Sequence, residues 1–334
     1  MPTASYGAVS SVTLPYYSTI VLDNSQSSAT PAPFQQLVNI NSNTYSKFIE
    51  PGWLNVEFTT GPAGTGTVLY AWLESGNTNT ATSTNIWVKV PNGLPSGLSQ
   101  IYMDYLPSNA YYDSSVNPSG TTGWAPQLST NYGENDNGAQ VFNYYQNFAG
   151  SSLPAGWSTS GGPSYSVNDG LTITGGGSAD DYIASTSTYS QPIAVDYYGT
   201  LSAASGCWTE GGLITSASNN YGTFVQAAGG ADIFGQQNGA SGYSSSGTLL
   251  SGTSGTGVWT VMALSGTTSD YQYNYGTIQA VTSDAPTYPL NLGAFKSSAG
   301  CSSLSPSAFV QWMRTRALPP NGVMPAASVS TAIQ

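Results

Sequence analysis

Chemistry in this sequence must come from few groups, because it holds sixteen Asp and Glu, five Lys and Arg, and no histidine. Glu134 and Asp136 stand at i and i+2 within Tyr132-Gly133-Glu134-Asn135-Asp136-Asn137-Gly138, the spacing that puts two acids on one face of a strand. Carboxylates about 5–5.5 Å apart would serve retaining glycoside hydrolysis. The Asn and Gly around them favour a turn instead. In a turn the same hard oxygens suit calcium, and Asp180-Asp181, after Gly175-Gly176-Gly177, is a second candidate. The alternative for both is a loop whose side chains bond their own backbone. Calcium is the one cofactor these residues suggest. Serine and cysteine hydrolysis lack an imidazole base, and zinc lacks its usual nitrogen ligand.

Other residues invite structural or recognition roles. Cys207 and Cys301 are the two cysteines, and a disulfide between them is expected, with two buried thiols as the alternative. Trp312, Arg314 and Arg316 alternate and share one strand face, which suits a buried or interface ion pair. Tyr271, Tyr273 and Tyr275 also alternate, giving a second face for ligand or partner contact. Exposed Tyr and Trp could stack on sugar rings, although most of the eight Trp are expected in the core.

The elements that must position these residues are strands. The apolar fraction is 39% with 23 Tyr, 8 Trp and 9 Phe, and Gly (39) and Pro (20) punctuate the whole length. No stretch repeats apolar residues at helical spacing. Strict alternation marks 68–74, 85–90 and 100–106 in the first 140 residues. Later candidates are 170–174, 193–198, 221–226, 258–264, 271–275 and 309–316. A short helix or irregular crossing is expected within 34–49, and the Gly-Ser run 241–257 is expected as a flexible loop. Residues 107–131 are rich in turn formers and suit a linker. The fold class is therefore all-β, with two β-sandwich domains: 1–130, including an N-terminal tail, and 131–334, a larger sandwich or jelly roll.

Charged residues make up 6% of the chain, against roughly a quarter in ordinary soluble domains. With a net charge of −11 there is no basic patch for nucleic acid. No apolar run is long enough for membrane insertion, and the first residues lack a leader pattern. Without histidine, the fold is expected to be indifferent to pH.

Several segments together resemble a two-domain family of archaeal secreted and cell-surface proteins. They are Asn55-Val56-Glu57-Phe58-Thr59, Trp72-Leu73-Glu74, Ile86-Trp87-Val88-Lys89-Val90-Pro91, Ile101-Tyr102-Met103-Asp104-Tyr105, the 132–138 turn, Asn147-Phe148-Ala149-Gly150, Trp312-Met313-Arg314-Thr315-Arg316 and 319–325. The resemblance implies an N-terminal β-domain followed by a concanavalin A-like lectin/glucanase jelly roll, in an extracellular or cell-surface setting. The Glu-x-Asp-x-x-Glu pattern of jelly-roll glucanases is missing. The expectation is thus a non-enzymatic structural or adhesive protein, a subunit of a filament or surface layer that contacts copies of itself. The alternatives are a monomeric glycan-binding adhesin that takes polysaccharide, and a viral capsid or spike protein. Residues 1–18 are expected as a donated strand or tail.

Overall fold

The computed structural model describes residues 16–53, 55–106, 136–175, 181–215, 221–228, 231–239, 242–251, 255–297 and 306–333. The first strands are β1 (Tyr16–Asn24), β2 (Phe34–Ile40), β3 (Val56–Thr59), β4 (Val68–Leu69), β5 (Ala71–Ser75), β6 (Thr84–Val90) and β7 (Gly97–Tyr105), followed by a one-turn helix α1 (Gly138–Val141). Next come β8 (Tyr144–Gln146), β9 (Trp157–Ser160), β10 (Ser164–Val167), β11 (Leu171–Thr174), β12 (Tyr182–Tyr189), β13 (Ile193–Ser202) and β14 (Trp208–Ile214). The last are β15 (Tyr221–Ala228), β16 (Ala231–Asn238), β17 (Tyr243–Ser251), β18 (Gly257–Ala263), β19 (Ser269–Tyr273), β20 (Gln279–Val281), β21 (Leu290–Ser297), β22 (Ser307–Arg316) and β23 (Ala326–Val329). The all-β expectation holds, and every strand pairing described is antiparallel.

The chain divides into two units, 1–142 with 319–334, and 143–318. The last residues therefore rejoin the first unit, where Ile20–Asp23 pair with Val329–Ala326. The boundary expected at 130/131 falls outside the described residues.

The first unit has a five-stranded sheet, β23-β1-β7-β3-β4, and a three-stranded sheet, β2-β6-β5. Alternation decides which face is buried: Ile20 and Leu22 of β1, Ile101 and Met103 of β7, and Val38, Ile86 and Val88 of the smaller sheet are all withdrawn from water. Residues 34–49, expected as a helix or crossing, instead open with β2, because Phe34, Val38 and Ile40 pair in register with β6; only 42–45 form a 3-10 turn. Residues 16–18, expected within a donated strand or tail, begin β1, which has neighbours on both sides.

The segment around α1 straps the other face of the three-stranded sheet. Phe142 meets Trp72 and Trp87 edge-on at 5.6 and 5.8 Å between centroids. Gln35 and Lys89 donate to the carbonyls of Val141 (3.2 Å) and Gln140 (2.8 Å).

The second unit is a two-sheet jelly roll. One sheet runs β10-β11-β22-β13-β18-β19-β20, with β8 also on β22; the other runs β17-β16-β15-β14-β21-β12-β9. Between them lies a core that includes Val195, Tyr197, Leu213, Val225, Phe234, Trp259, Val261, Phe295, Val310 and Met313. The 241–257 run is not simply a loop. Its first part is β17, which hydrogen-bonds along β16 at the sheet edge, where Ser, Thr and Gly need fill no core.

Where β13 crosses β22 the register shifts between Tyr198 and Gly199. A Cβ at Gly199 would run into the carbonyl oxygen of Phe309. Gly199→Ala should therefore destabilise the second unit by about 1–3 kcal/mol, as overpacking does. Urea unfolding monitored by tryptophan fluorescence checks this.

Candidate functional site

One row of side chains crosses the seven-stranded sheet. Tyr182 is opposite Lys296, Lys296 opposite Glu210, and Glu210 opposite Gln226. Residues directly opposite share a face. Here it is the outer one, since the alternate residues Ile183, Leu213, Val225 and Phe295 belong to the core. Lys296, Glu210 and Gln226 are all buried, at 0%, 2% and 8% exposure.

These groups touch in sequence. Gln226 donates through Nε2 to Glu210 Oε1 at 2.9 Å, and Lys296 Nζ stands 4.0 Å from Glu210 Oε2. At one end Lys296 Nζ lies 5.6 Å from the centroid of the half-buried Trp208 ring, a cation–π contact. At the other, Tyr243 donates its hydroxyl to Gln226 Oε1 at 3.3 Å. The Tyr243 ring is 44% exposed and stacks on Phe224 at 6.4 Å. Phe224 can lie flat there because Gly235 of the next strand has no side chain; a Cβ would stand 2.9 Å from the ring. The Tyr243 phenol is pushed above its ordinary range, first by desolvation and then by the Glu210 charge. Two accessible aromatic rings are thus held by a buried polar relay. Among the described residues, Glu210 is the one carboxylate on this face.

The residues singled out in the sequence are distributed differently. Asp136 lies in the first unit and accepts from Trp72 Nε1 (2.6 Å) and the Gly138 amide (2.9 Å), so it anchors the strap. Asp181 lies in the second unit, buried beside β12. Glu134 and Asp180 are outside the described residues, and no group of three metal-ligating side chains occurs among the described ones. Cys207 is disulfide-bonded; Cys301 is outside the described residues.

Trp312, Arg314 and Arg316 do share a face of β22, and it is buried. Both arginines donate through Nε to Asp196 Oδ2, at 2.8 and 2.9 Å, and Thr260 donates to Oδ1 at 2.8 Å. Desolvation alone would raise the Asp196 pKa, but the charges of Arg316 and Arg314 hold it below the ordinary value. The Arg314 guanidinium also lies 4.5 Å from the centroid of the Trp312 ring.

The tyrosine trio does not form one contact face. Tyr271 is a core residue, stacked on Phe234 at 4.7 Å and donating to the Gly235 carbonyl. Tyr273 leans on Trp259 at 4.4 Å. Tyr275 lies past the end of β19, where left-handed conformations at Asn274 and Tyr275 turn the chain, and its hydroxyl accepts from Arg314 Nη2 at 2.7 Å.

Two buried acids change the expectation of pH indifference. Burial raises the Asp232 carboxyl to about 7 and Asp104 to about 6, the latter against hydrogen bonds from Thr59 and the Gly64 amide. Asp232 and the Tyr197 hydroxyl leave buried oxygens without hydrogen-bond partners.

No protein-family model matches the chain. Among curated proteins it is 37% identical over 131 residues to an uncharacterised protein, 562, of Sulfolobus islandicus rod-shaped virus 1, covering 39% of this chain and 21% of that protein. The chain thus spans about a fifth of the curated relative it matches. Solved structures of similar fold include a Bacillus licheniformis β-glucanase (12% identity, TM-score 0.40, 52% of this chain and 97% of that one). A β-1,3-glucanase from Mycobacterium marinum (13%, 0.41, 53% and 99%) and a lichenase from a mouse hindgut metagenome (7%, 0.39, 52% and 98%) are also similar. The jelly-roll expectation rests on the two antiparallel sheets of the second unit themselves. These neighbours are glucanases by name, which runs against the expectation of a non-enzymatic structural or adhesive subunit and against that of no enzyme.

Sequence reasoning missed Glu210, Lys296, Gln226, Trp208 and Tyr243. The available signal was a lone lysine closing the largely apolar run Leu290-Asn291-Leu292-Gly293-Ala294-Phe295-Lys296, since a buried lysine needs a partner.

Asp196→Asn should cost about 3–5 kcal/mol, because it leaves two guanidinium groups buried without their carboxylate; thermal unfolding at pH 7 measures it. For Asp104 and Asp232 the folded form binds its proton more tightly than the unfolded chain does. The stability they add is complete below about pH 4 and is lost as pH rises through about 6 and 7. The melting temperature should therefore be higher at pH 4.5 than at pH 8, and Asp232→Asn should flatten the upper part of that profile.

Proposed function

We propose that the second unit is carbohydrate-directed, taking a polysaccharide chain across the outer face of its seven-stranded sheet, with sugar rings against Tyr243 and Trp208. The observation carrying this reading is the pair of accessible aromatic rings fixed from beneath by Gln226, Glu210 and Lys296. Rings of this kind offer apolar faces to the C–H surface of a sugar, and prior fixing lowers the ordering cost of binding. Glu210 is the group on this face able to carry a proton to or from a glycosidic oxygen. Retaining hydrolysis requires a pair of carboxylates; among the described residues of this face Glu210 is the one present. An extracellular or cell-surface setting suits a polysaccharide ligand, and the bonded Cys207 agrees with such a compartment.

β-1,3- and mixed-linkage glucans are the first ligands to test. Binding to the full chain should weaken about tenfold for Tyr243→Ala, equivalent to roughly 1.4 kcal/mol, with a similar loss for Trp208→Ala. Release of reducing ends, if catalysed, should vanish in Glu210→Gln. A panel of neutral polysaccharides that neither binds nor is cut, or binding that Tyr243→Ala leaves unchanged, would sink the reading.

A further inference from the structure

The relay beneath the aromatic rings has a second chemical capacity. Lys296 and Gln226 flank Glu210 from its two neighbouring strands, on one face and in register. All three are buried. One oxygen of Glu210 meets the Gln226 amide nitrogen at 2.9 Å, and the other faces the Lys296 amine at 4.0 Å. An amine, a carboxamide and a carboxyl group bridging them are the parts a transamidation needs. We propose that Lys296 and Gln226 become joined by an amide bond, with Glu210 carrying the protons.

The step balances without any further reactant. A proton passes from the Lys296 ammonium to the Glu210 carboxylate, leaving a neutral amine and a carboxylic acid. The Lys296 nitrogen attacks Cδ of Gln226; the Cδ–Nε2 bond breaks as Glu210 gives its proton to the departing nitrogen. The carboxylate takes the extra proton from the new amide nitrogen and releases it to ammonia, which leaves as ammonium. The bond would tie β21 to β15 across β14 and close a covalent loop around the centre of the sheet.

The measurement is the intact mass of the purified full chain after reduction of its disulfide. The expected mass is one ammonia below that of the sequence, with the peptides holding Lys296 and Gln226 recovered as one branched species. Glu210→Gln and Lys296→Arg should each restore the full mass, and either suffices if the other does not fold. A wild-type mass equal to the sequence, or a deficit kept in Lys296→Arg, would overturn the proposal. So would a deficit of one water, which would put the bond on Glu210 itself. The bond uses residues of the proposed glycan face, but its mass is read without any glycan, so each proposal can fail alone.

Discussion

Lys296 and Glu210 can be buried in the seven-stranded sheet only because antiparallel register sets them side by side. An isolated charge withdrawn from water is costly, and a paired one is tolerated when its remaining donors and acceptors are occupied. That constraint fixes much else. β14 must lie between β21 and β15, Gln226 must fill the second oxygen of Glu210, and the rings of Trp208 and Tyr243 settle at the two ends of the resulting chain of contacts. The eight-stranded sheet solves the same problem with Asp196 between Arg314 and Arg316.

A chain with so few charges places several of them inside. Asp104, Asp196, Glu210, Asp232, Lys296, Arg314 and Arg316 are all buried. Solubility therefore rests on hydroxyl and amide groups, while the ionised side chains specify register. A slip of one residue in β22 would turn Arg314 into the core and Met313 out of it.

The legible parts of the fold were those where side chains alternate cleanly. β6 and β7 showed themselves because Ile86, Val88 and Val90, or Ile101, Met103 and Tyr105, mark one face at every second position. β14 did not, because Gly211 and Gly212 interrupt its pattern, and β17 did not, because Ser and Gly at an edge look like a loop. The site was hidden for a different reason. Gln226, Glu210 and Lys296 come from three separated segments, and their meeting depends on strand order, which no local pattern encodes. The arginine pair was legible as a face and an ion pair because both members sit on one strand, whereas its partner Asp196 lies on another.

The pairing of β23 with β1 has a consequence for how the chain is made. A ribosome delivers β1 to β7 first, then the whole of the second unit, and only then the strand that completes the first sheet. Until that moment β1 carries an exposed edge, open to any extended segment that arrives early. The nascent protein must therefore fold its inserted half quickly or keep it from competing for that edge.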